Sequence, residues 1–249
     1  MARRPRKATA DELGTWGRKE DLPLRLLIST LMKTLDTLLD RVEVGDCLAI
    51  LPQLPAGSID LVLTDPPYLV RYRDRQGRTL ANDATGEWLE PAFAEIFRVL
   101  KDNRFCVSFY GWPKVDRFFL AWRSAGFYPV GHLVWPKAYT SGQRFVRYQH
   151  EQAYLLAKGR PVQPAQTIGD VLTWQYSQNR YHPTQKPVAS LMPLVSAFSR
   201  KGEVVLDPFC GSGSTLLAAQ ALGRRFIGIE LDQGYAETAQ RRIFGRAGD

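Results

Sequence analysis

Apolar residues recur along the chain at two spacings, which predict helices in some stretches and buried strands in others. Residues 24–41 carry apolar side chains three and four positions apart, and this spacing predicts an amphipathic helix. After it, short runs of almost continuous apolar residues alternate with further helical stretches. The apolar runs predict strands at residues 42–46, 59–64, 104–110, 128–135, 151–157, 203–207 and 225–230, and the helical stretches predict helices at residues 88–101, 113–125, 187–199, 214–222 and 233–244.

The order of these elements predicts an α/β fold. Strands that are apolar on both faces and separated by helices are typical of a parallel sheet covered on both sides. We therefore expect a doubly wound, mostly parallel seven-stranded sheet, in which the sixth and seventh strands of the series form an antiparallel hairpin at one edge. Ligands of such sheets bind outside the carboxyl ends of the strands, where the strand order reverses, and candidate chemistry is expected there.

The predicted strand at residues 59–64 is followed directly by Asp65, Pro66, Pro67 and Tyr68. The two prolines fix the backbone and remove two amide donors, so the turn presents a carboxylate, a carbonyl and an aromatic face. Two acceptors of this kind would hold both hydrogens of an adenine amine, and the ring would stack on the base. The alternative is an ordinary turn that ends a strand, since Asp-Pro is a common turn opener.

A second loop of this type follows the predicted strand at residues 203–207. It begins at Asp207 and contains Gly211 and Gly213, which would let a ligand approach the backbone closely. Glu230, about twenty residues beyond the glycines, ends the next strand and is placed to bind ribose hydroxyls. The alternatives are a ligand-free turn and a dinucleotide site. Against the latter, the third glycine of the usual fingerprint is missing, and Asp207 would repel a pyrophosphate but suit an ammonium group.

Together these loops resemble the amino-methyltransferases of DNA. Asp65-Pro66-Pro67-Tyr68 resembles the catalytic motif of that family, and residues 207–213 resemble its cofactor loop. The catalytic motif comes first, which is the permuted order of the β group. Further similar segments are His182-Pro183-Thr184-Gln185-Lys186-Pro187, Gly45-Asp46-Cys47, Trp135-Pro136-Lys137 and His150-Glu151, so that the resemblance spans residues 42–243.

The resemblance implies a Rossmann-like fold and specific roles for several of the matching segments. Residues 1–41, the basic tail and the predicted helix, lie outside the resemblance. Residues 42–249 would be a methyltransferase domain with a short target-recognition insertion at about residues 160–181. Asp65 and the Pro66 carbonyl would orient the target amine in a flipped base, with Tyr68 stacked on that base. The cofactor, S-adenosylmethionine, with S-adenosylhomocysteine as product, would contact Asp46, Cys47, Asp65, His182, Thr184, Lys186, Asp207, Phe209, Cys210, Gly211, Ser212, Gly213 and Glu230. Among these, Lys186 would meet the cofactor's carboxylate, Glu230 its ribose, and Asp46 with Cys47 its adenine.

The resemblance also implies the chemistry. The methyl group would pass directly from sulfonium to nitrogen, so no cysteine nucleophile and no metal is needed. Cytosine-N4 enzymes of the family usually carry Ser at the position of Asp65, so Asp favours adenine N6. The alternatives are a cytosine-N4 enzyme, a non-catalytic DNA-binding protein of the same fold and a dinucleotide-dependent oxidoreductase.

Charge and composition agree with a DNA partner. The net charge is +8 and the pI about 9.5, and a cationic surface binds nucleic acid by releasing phosphate counterions. Stretches that interleave basic and aromatic residues are candidate contacts for double-stranded DNA. The residues singled out for this role are Arg71, Arg73, Arg75, Arg78, Arg144, Arg147, Trp174 and Arg180. Any one arginine alone is better explained as a solvated loop charge, whereas the position of the loop directly after Tyr68 favours a functional role.

The remaining composition indicates where the protein works. Cys47, Cys106 and Cys210 are too sparse for a disulfide framework and suit a reducing cytosol. Apolar runs are too short for a membrane span. We therefore expect a cytoplasmic, prokaryotic or phage-encoded enzyme. A homodimer and a separately encoded cognate restriction endonuclease are open as partners.

Overall fold

The protein is described by a computed structural model over residues 35–73, 77, 82–176 and 181–245. Within these residues a sheet of seven strands is accompanied by a separate two-stranded hairpin. The strands are β1 Arg41–Val44, β2 Ile59–Thr64, β3 Leu100–Phe109, β4 Tyr128–Pro136, β5 Gly142–Gln143, β6 Arg147–Tyr148, β7 His150–Lys158, β8 Val204–Asp207 and β9 Arg225–Glu230. The small hairpin is β5–β6 and lies between β4 and β7 in the chain.

The strand order in the large sheet is β1-β9-β8-β2-β3-β7-β4. All neighbours on the β1 side of β3 pair in parallel, and β7 is antiparallel to both β3 and β4. The predicted doubly wound, mostly parallel sheet with an antiparallel pair at one edge is therefore confirmed.

The prediction was wrong about which strands form that pair. The hairpin consists of the fourth and fifth strands of the series, β4 and β7, because only β5 and β6 lie between them and no helix carries the chain back across the sheet. The sixth and seventh strands, β8 and β9, are joined through a helix, and such a crossover returns the chain in the same direction. They pair in parallel, with Asp207 opposite Gly228.

Helices cover both faces of the sheet. They are α1 Cys47–Ile50, α2 Leu89–Val99, α3 Val115–Ala125, α4 Val188–Phe198, α5 Ser214–Ala221 and α6 Gln233–Phe244. In β2, Val62 belongs to the core on the face of α2 and α3, whereas Leu61 and Leu63 belong to the core on the face of α4, α5 and α6. Burial on both faces explains why four of the six residues of β2 are apolar.

The predicted helix over residues 24–41 is described only at its end, as a helical turn at residues 35–38. It stops before Arg41, which begins β1. Asp40 takes a left-handed conformation (φ 58°) and accepts a hydrogen bond from the backbone N–H of Phe226 at 3.1 Å, which fixes the entry into the sheet. Residues 24–34 lie outside the described part of the chain.

The proposed target-recognition stretch is described up to residue 176 and again at Tyr181. Part of it extends along the edge strand β4, because the Val134 N–H donates to Asp170 O and the Leu172 N–H donates to Val134 O, both at 2.8 Å. Among the described helices, none has the length and apolar character required to cross a membrane.

The strand order reverses between β2 and β8. From β2 the chain moves to β3 on one side, and from β8 it moves through α5 to β9 on the other side. Crossovers that diverge in this way leave a crevice outside the carboxyl ends of the two central strands. Asp65 and Asp207 stand at those ends.

Candidate active site

A cleft opens where β1, β2, β8 and β9 end, and it contains both loops singled out in the sequence. The two central strand ends are tied together by the Thr64 hydroxyl, which donates to the Asp207 carboxylate at 2.9 Å. The predicted site residues that line the cleft are Asp46, Cys47, Asp65, Pro66, Pro67, Tyr68, His182, Thr184, Lys186, Asp207, Phe209, Cys210, Gly211, Ser212 and Glu230. The fold therefore brings together segments that are far apart in the sequence.

The carboxylate of Asp65 is held at both oxygens. The Tyr68 hydroxyl donates to Oδ1 at 2.8 Å, and the Lys186 ammonium donates to Oδ2 at 2.6 Å. Burial raises the pKa of the Asp65 carboxyl, and the positive charge of Lys186 opposes that shift. Gly111 lies directly behind Tyr68, since a Cβ at that position would be 2.7 Å from the Tyr68 Cβ. The catalytic motif therefore has a fixed shape before any substrate arrives.

Asp207 is almost fully buried, with 3% of its surface exposed. Its Oδ1 accepts hydrogen bonds from the Thr64 hydroxyl and, at 3.1 Å, from the backbone N–H of Phe209. Burial raises the pKa of the Asp207 carboxyl to about 7. Near neutral pH this group is thus poised between the neutral and the ionised form, and a cation in the cleft would favour the ionised form.

Glu230 closes the glycine loop from the neighbouring strand. Its Oε2 accepts from the backbone N–H of Gly211 at 2.8 Å, and its Oε1 accepts from that of Asp232 at 2.9 Å. Gly211 takes a left-handed conformation with φ 50°. The strand end and the loop therefore form one rigid unit, with a carboxylate at the edge of the cleft.

Gly213 lies where two helices pack together. It does not belong to the cleft lining of the described chain, and a Cβ at this position would lie 2.9 Å from the Cβ of Ala239 in α6. Its missing side chain allows α5 and α6 to pack closely. The predicted contact of Gly213 with the cofactor stays a prediction.

The rest of the cleft suits a ligand with apolar and polar parts. The Phe209 ring packs on Trp88 with 5.1 Å between centroids and forms part of an apolar wall. The hydroxyl of Ser214 is buried at the cleft, and the described chain offers it no hydrogen-bond partner. Carboxylates, an aromatic wall and an unsatisfied hydroxyl fit a nucleoside that carries an amino-acid group. The side chain of Asp46 also caps α1 through the Leu48 N–H at 2.9 Å.

The segment at residues 182–187 also borders the cleft. Nδ1 of His182 accepts hydrogen bonds from the N–H and the hydroxyl of Thr184, at 3.2 and 3.1 Å. The His182 ring packs edge-on against Tyr235 at 4.2 Å. Lys186 is 6% exposed and turns its ammonium toward Asp65. Its predicted contact with the cofactor's carboxylate stays a prediction.

The three cysteines are free thiols in buried positions. Burial raises the pKa of Cys47 to about 12, and it also raises the pKa values of Cys106 and Cys210. These thiols are thus protonated at neutral pH, and a thiol is a far weaker nucleophile than a thiolate.

The predicted DNA contacts fall into three groups. Arg71 and Arg73 are exposed in the loop that follows Tyr68, and Arg144 and Arg147 are exposed on the β5–β6 hairpin. Trp174 is instead half-buried against the core, with the Lys137 ammonium 5.4 Å from its ring centre. The remaining predicted contacts, Arg75, Arg78 and Arg180, lie outside the described residues.

The structure adds residues to which sequence reasoning assigned no role. Asp83 is 1% exposed and its carboxylate accepts from the backbone N–H groups of Val70 at 3.4 Å and Tyr72 at 2.5 Å, which holds the loop after the catalytic motif. A single Asp in a polar loop carries no sequence signal for this. Glu151, at the start of β7, lies 3.8 Å from the Lys186 ammonium. Its signals in the sequence were a charge at the entry to an apolar strand and its place in the His150-Glu151 segment, for which the resemblance implied no role.

Comparisons with known proteins agree with this geometry. The family model described as DNA methylase matches residues 59–241. A protein of Escherichia coli strain K12 named as a methylase, YubD, is 56% identical over 199 residues, which cover 80% of this chain and 88% of YubD. The DNA adenine methyltransferase YhdJ of the same strain is 31% identical over 239 residues, covering 80% of this chain and 81% of YhdJ.

A solved structure is also similar. TTHA0409 of Thermus thermophilus is named as a DNA modification methylase, and its structure is complexed with S-adenosyl-L-methionine. It matches this chain with a TM-score of 0.65 and 25% identity, over 84% of this chain and 97% of TTHA0409.

Proposed function

Since the chain belongs to the DNA methylase family, we propose that it transfers the methyl group of S-adenosylmethionine to N6 of adenine in double-stranded DNA. The family model covers methylases of adenine N6 and of cytosine N4, so the choice of base is the finer part of this proposal. Because an amine inside a duplex cannot reach the cleft, the target base is flipped out of the helix, at a cost of about a few kcal/mol.

One observation carries the proposal. Asp65 and Asp207 end adjacent parallel strands at the point where the strand order reverses, and the Thr64 hydroxyl joins the two ends through its 2.9 Å hydrogen bond to Asp207. An amine acceptor and a cofactor loop therefore share one cleft. Alignment of two reactants in this way accounts for a large part of catalysis in a direct transfer.

Each residue of the motif has its own role in the reaction. S-adenosylmethionine supplies an activated methyl group when bound. Asp65 and the Pro66 carbonyl accept the hydrogens of the target amine and point the nitrogen lone pair into the cleft, while Tyr68 stacks on the base. With the cofactor held by the other side of the cleft, its methyl group would pass to the amine nitrogen, its sulfur would keep the electron pair of the S–C bond, and Asp65 would accept the proton that the nitrogen gives up.

The cofactor side of the cleft complements the groups it would hold. Glu230 offers a carboxylate for ribose hydroxyls, Asp207 a buried acid for an ammonium, and Ser214 a hydroxyl that the described chain leaves unsatisfied. Cys47, beside the end of β1, belongs to the wall for the adenine ring. The thiols take no covalent part, in keeping with their raised pKa values.

DNA contact involves the exposed arginines and the β5–β6 hairpin. At the tip of this hairpin Phe145 is 99% and Val146 64% exposed, with Arg144 and Arg147 on either side. Apolar side chains flanked by arginines suit a nucleic acid, because arginines contact phosphates and an aromatic ring stacks on unpaired bases. The hairpin follows the carboxyl end of β4 and leads into β7, whose Glu151 lies beside Lys186. It is thus on the same side of the sheet as the cleft.

Two observations favour adenine over cytosine. Asp occupies the first position of the catalytic motif, where cytosine-N4 enzymes of the family usually carry Ser. The relative YhdJ, which is 31% identical, is named as an adenine methyltransferase. A cytosine-N4 activity is the second candidate, since the same cleft accepts any exocyclic amine.

The test is to incubate the protein with unmethylated mixed-sequence duplex DNA and methyl-labelled S-adenosylmethionine, then analyse the nucleosides by mass spectrometry. We expect the label in N6-methyladenine. Label in N4-methylcytosine would leave the assignment of the cleft as the active site unchanged and would overturn the assignment of the base. An absence of label on DNA, with S-adenosylhomocysteine still bound, would contradict the assigned substrate.

A further inference from the structure

Four charged side chains form a continuous chain that begins at the catalytic carboxylate. Lys186 contacts Asp65 at 2.6 Å and Glu151 at 3.8 Å, and Glu151 is in turn ion-paired with Lys137. We call Asp65, Lys186, Glu151 and Lys137 the charge chain. It holds two carboxylates and two ammonium groups, so its net charge is zero.

The charge chain is largely shielded from water. The side chains of Lys186 and Lys137 are 6% and 5% exposed, and those of Asp65 and Glu151 are 21% and 20% exposed. Aromatic rings border both ammonium groups: Phe109 at 4.9 Å from Lys186, and Trp174 at 5.4 Å from Lys137. In such surroundings a charge depends on its partners rather than on solvent.

The far half of the charge chain is carried by the β4–β7 pair. Glu151 is fixed opposite Trp135 in the ladder, and the Lys137 N–H donates to Gln149 O at 2.7 Å. Asp65 is carried by β2. Lys186 therefore bridges two separately anchored parts of the sheet, and Glu151 and Lys137 determine where its ammonium can stand.

We propose that Glu151 and Lys137 are positioning residues for methyl transfer, which together determine where the Lys186 ammonium stands and so orient Asp65 as an acceptor for the target amine. Of the two, Lys137 favours the ionised form of Asp65, because it neutralises the negative charge of Glu151. The proposal rests on the proposed function, because Asp65 needs to be an acceptor only if it binds the target amine. Neither positioning residue has to touch the DNA or the cofactor.

The orientation of Asp65 explains why this matters. A carboxylate offers about four acceptor positions, two on each oxygen. Tyr68 uses one on Oδ1 and Lys186 uses one on Oδ2, which leaves an acceptor position on each oxygen for the incoming amine. A protonated Asp65 would present a donor instead, and an amine hydrogen would meet it unfavourably.

The protonation state of Asp65 is set by opposing influences. Burial and the negative charge of Glu151 raise the pKa of the Asp65 carboxyl, and Lys186 and the Tyr68 hydroxyl lower it. The other titratable groups that face the charge chain are Asp207, Tyr110, Tyr139 and His150. Because the charge chain is neutral, removing one outer charge should shift the pKa of Asp65 in a direction given by the sign of the charge removed.

The experiment measures the single-turnover rate of methyl transfer against pH, with cofactor saturating at each pH, on the same mixed-sequence duplex DNA. Glu151→Gln removes a negative charge, and we expect the acid limb of the profile to move to lower pH. Lys137→Met removes the positive charge that neutralises Glu151, and we expect that limb to move to higher pH. Each shift should be about half a pH unit to one unit.

Two further variants separate positioning from general damage. The double variant Glu151→Gln/Lys137→Met removes both charges, and its acid limb should return to the wild-type position. Lys137→Arg keeps the charge and should leave the limb unmoved. If Lys137→Met does not fold, Glu151→Gln and Lys137→Arg still carry the test.

The outcomes are distinct. Profiles that coincide with that of the wild type, or rates that fall equally at all pH values without opposite shifts, would overturn the proposal. Asp65→Ala is the reference for the proposed function. If that variant stays active, the role given to Asp65 is wrong, whereas an inactive Asp65→Ala with unmoved limbs in the other variants would refute only the positioning role.

Discussion

The two walls of the cleft are held in place by different means. The wall proposed for the cofactor, called the cofactor wall (residues 207–212 with Glu230), is fixed mainly through the backbone, because Glu230 accepts from the Gly211 and Asp232 N–H groups and the loop follows directly from a central strand. The amine wall (Asp65, Tyr68 and Lys186) is fixed by charged and polar side chains. A change of one side chain should therefore affect the walls unequally.

The loops beyond the two walls differ in the same way. After Asp207 the left-handed positions are glycines, Gly211 and Gly213, whereas after Tyr68 they are Leu69 and Arg71. Left-handed backbone is unfavourable for a residue with a Cβ, so the loop after Tyr68 is under strain that its surroundings must offset. Asp83 contributes to this by binding two of its N–H groups. The loop after Tyr68 therefore depends on its surroundings for its shape, whereas the glycines of the other loop adopt left-handed backbone at little cost.

The largest difference in effect between the two walls is expected for the variant Asp65→Ala. It removes the acceptor for the target amine and leaves the cofactor wall intact. Methyl transfer should fall by about 100- to 1000-fold, the size typical of losing one preorganised polar group in an active site. Affinity for S-adenosylhomocysteine, measured by calorimetry, should stay within about twofold of the wild type. Comparable loss of both properties would show that the walls are not separable.

Glu230→Ala should produce the reverse pattern. The change removes the acceptor of the Gly211 N–H and the partner proposed for the ribose, so cofactor affinity should fall by about 10- to 100-fold. DNA affinity, measured by fluorescence anisotropy, should not change. Glu237→Ala is the matched control, since the Glu237 side chain is 50% exposed on α6. Unchanged cofactor affinity in Glu230→Ala would remove this residue from the site.

The contrast between the walls also explains which features of the site could be predicted from the sequence. The cofactor loop and the catalytic motif each follow a strand end within a few residues, so local spacing predicted both positions and the type of sheet. Gly213 shows the limit, because its packing on Ala239 depends on how α5 and α6 meet. The pairing of Lys186 with Asp65 depends likewise on a tertiary contact, between residues 121 positions apart. Local patterns carry no information on such contacts.

The mistake over the antiparallel pair has a related cause. Strand direction depends on what lies between two strands, and the predicted helix at residues 214–222 already separated β8 from β9. The segment between β4 and β7 contains no helix and only the short β5–β6 hairpin. The direction of β7 follows from that connection.

Asp207→Asn should sharpen the comparison by separating stability from binding within the cofactor wall. The raised pKa of about 7 means that the fold favours the neutral carboxyl. The Asp207 carboxyl of the wild type contributes fully to the free energy of unfolding below the pKa that this carboxyl has in the unfolded chain. The contribution is lost as the pH rises through about 7. An Asn carbonyl can still accept from the Thr64 hydroxyl and the Phe209 N–H. The variant should therefore be more stable than the wild type by about 2 kcal/mol at pH 8 and equally stable near pH 4, measured by denaturant unfolding.

Cofactor binding should respond to the same substitution in the opposite sense. Between pH 5.5 and 7 the affinity of the wild type for S-adenosylhomocysteine should rise, because the ammonium of the ligand pairs with ionised Asp207. The Asn variant should bind about tenfold more weakly at pH 7.5 and lose this pH dependence. A wild-type affinity that is flat with pH would mean that Asp207 does not meet the ammonium.

The smallest effect is expected at the hairpin beyond the amine wall. Phe145 is 99% exposed, so Phe145→Ala removes no packing and should leave the melting temperature unchanged. If the ring stacks on DNA, affinity for duplex DNA should fall about fivefold, at the low end of what a base–aromatic contact contributes. Tyr128→Ala is the matched control, because Tyr128 is 65% exposed at the opposite end of β4. Equal DNA affinity in the two variants would confine DNA contact to the arginines, whereas a loss specific to Phe145→Ala would extend the substrate surface from the amine wall to the hairpin tip.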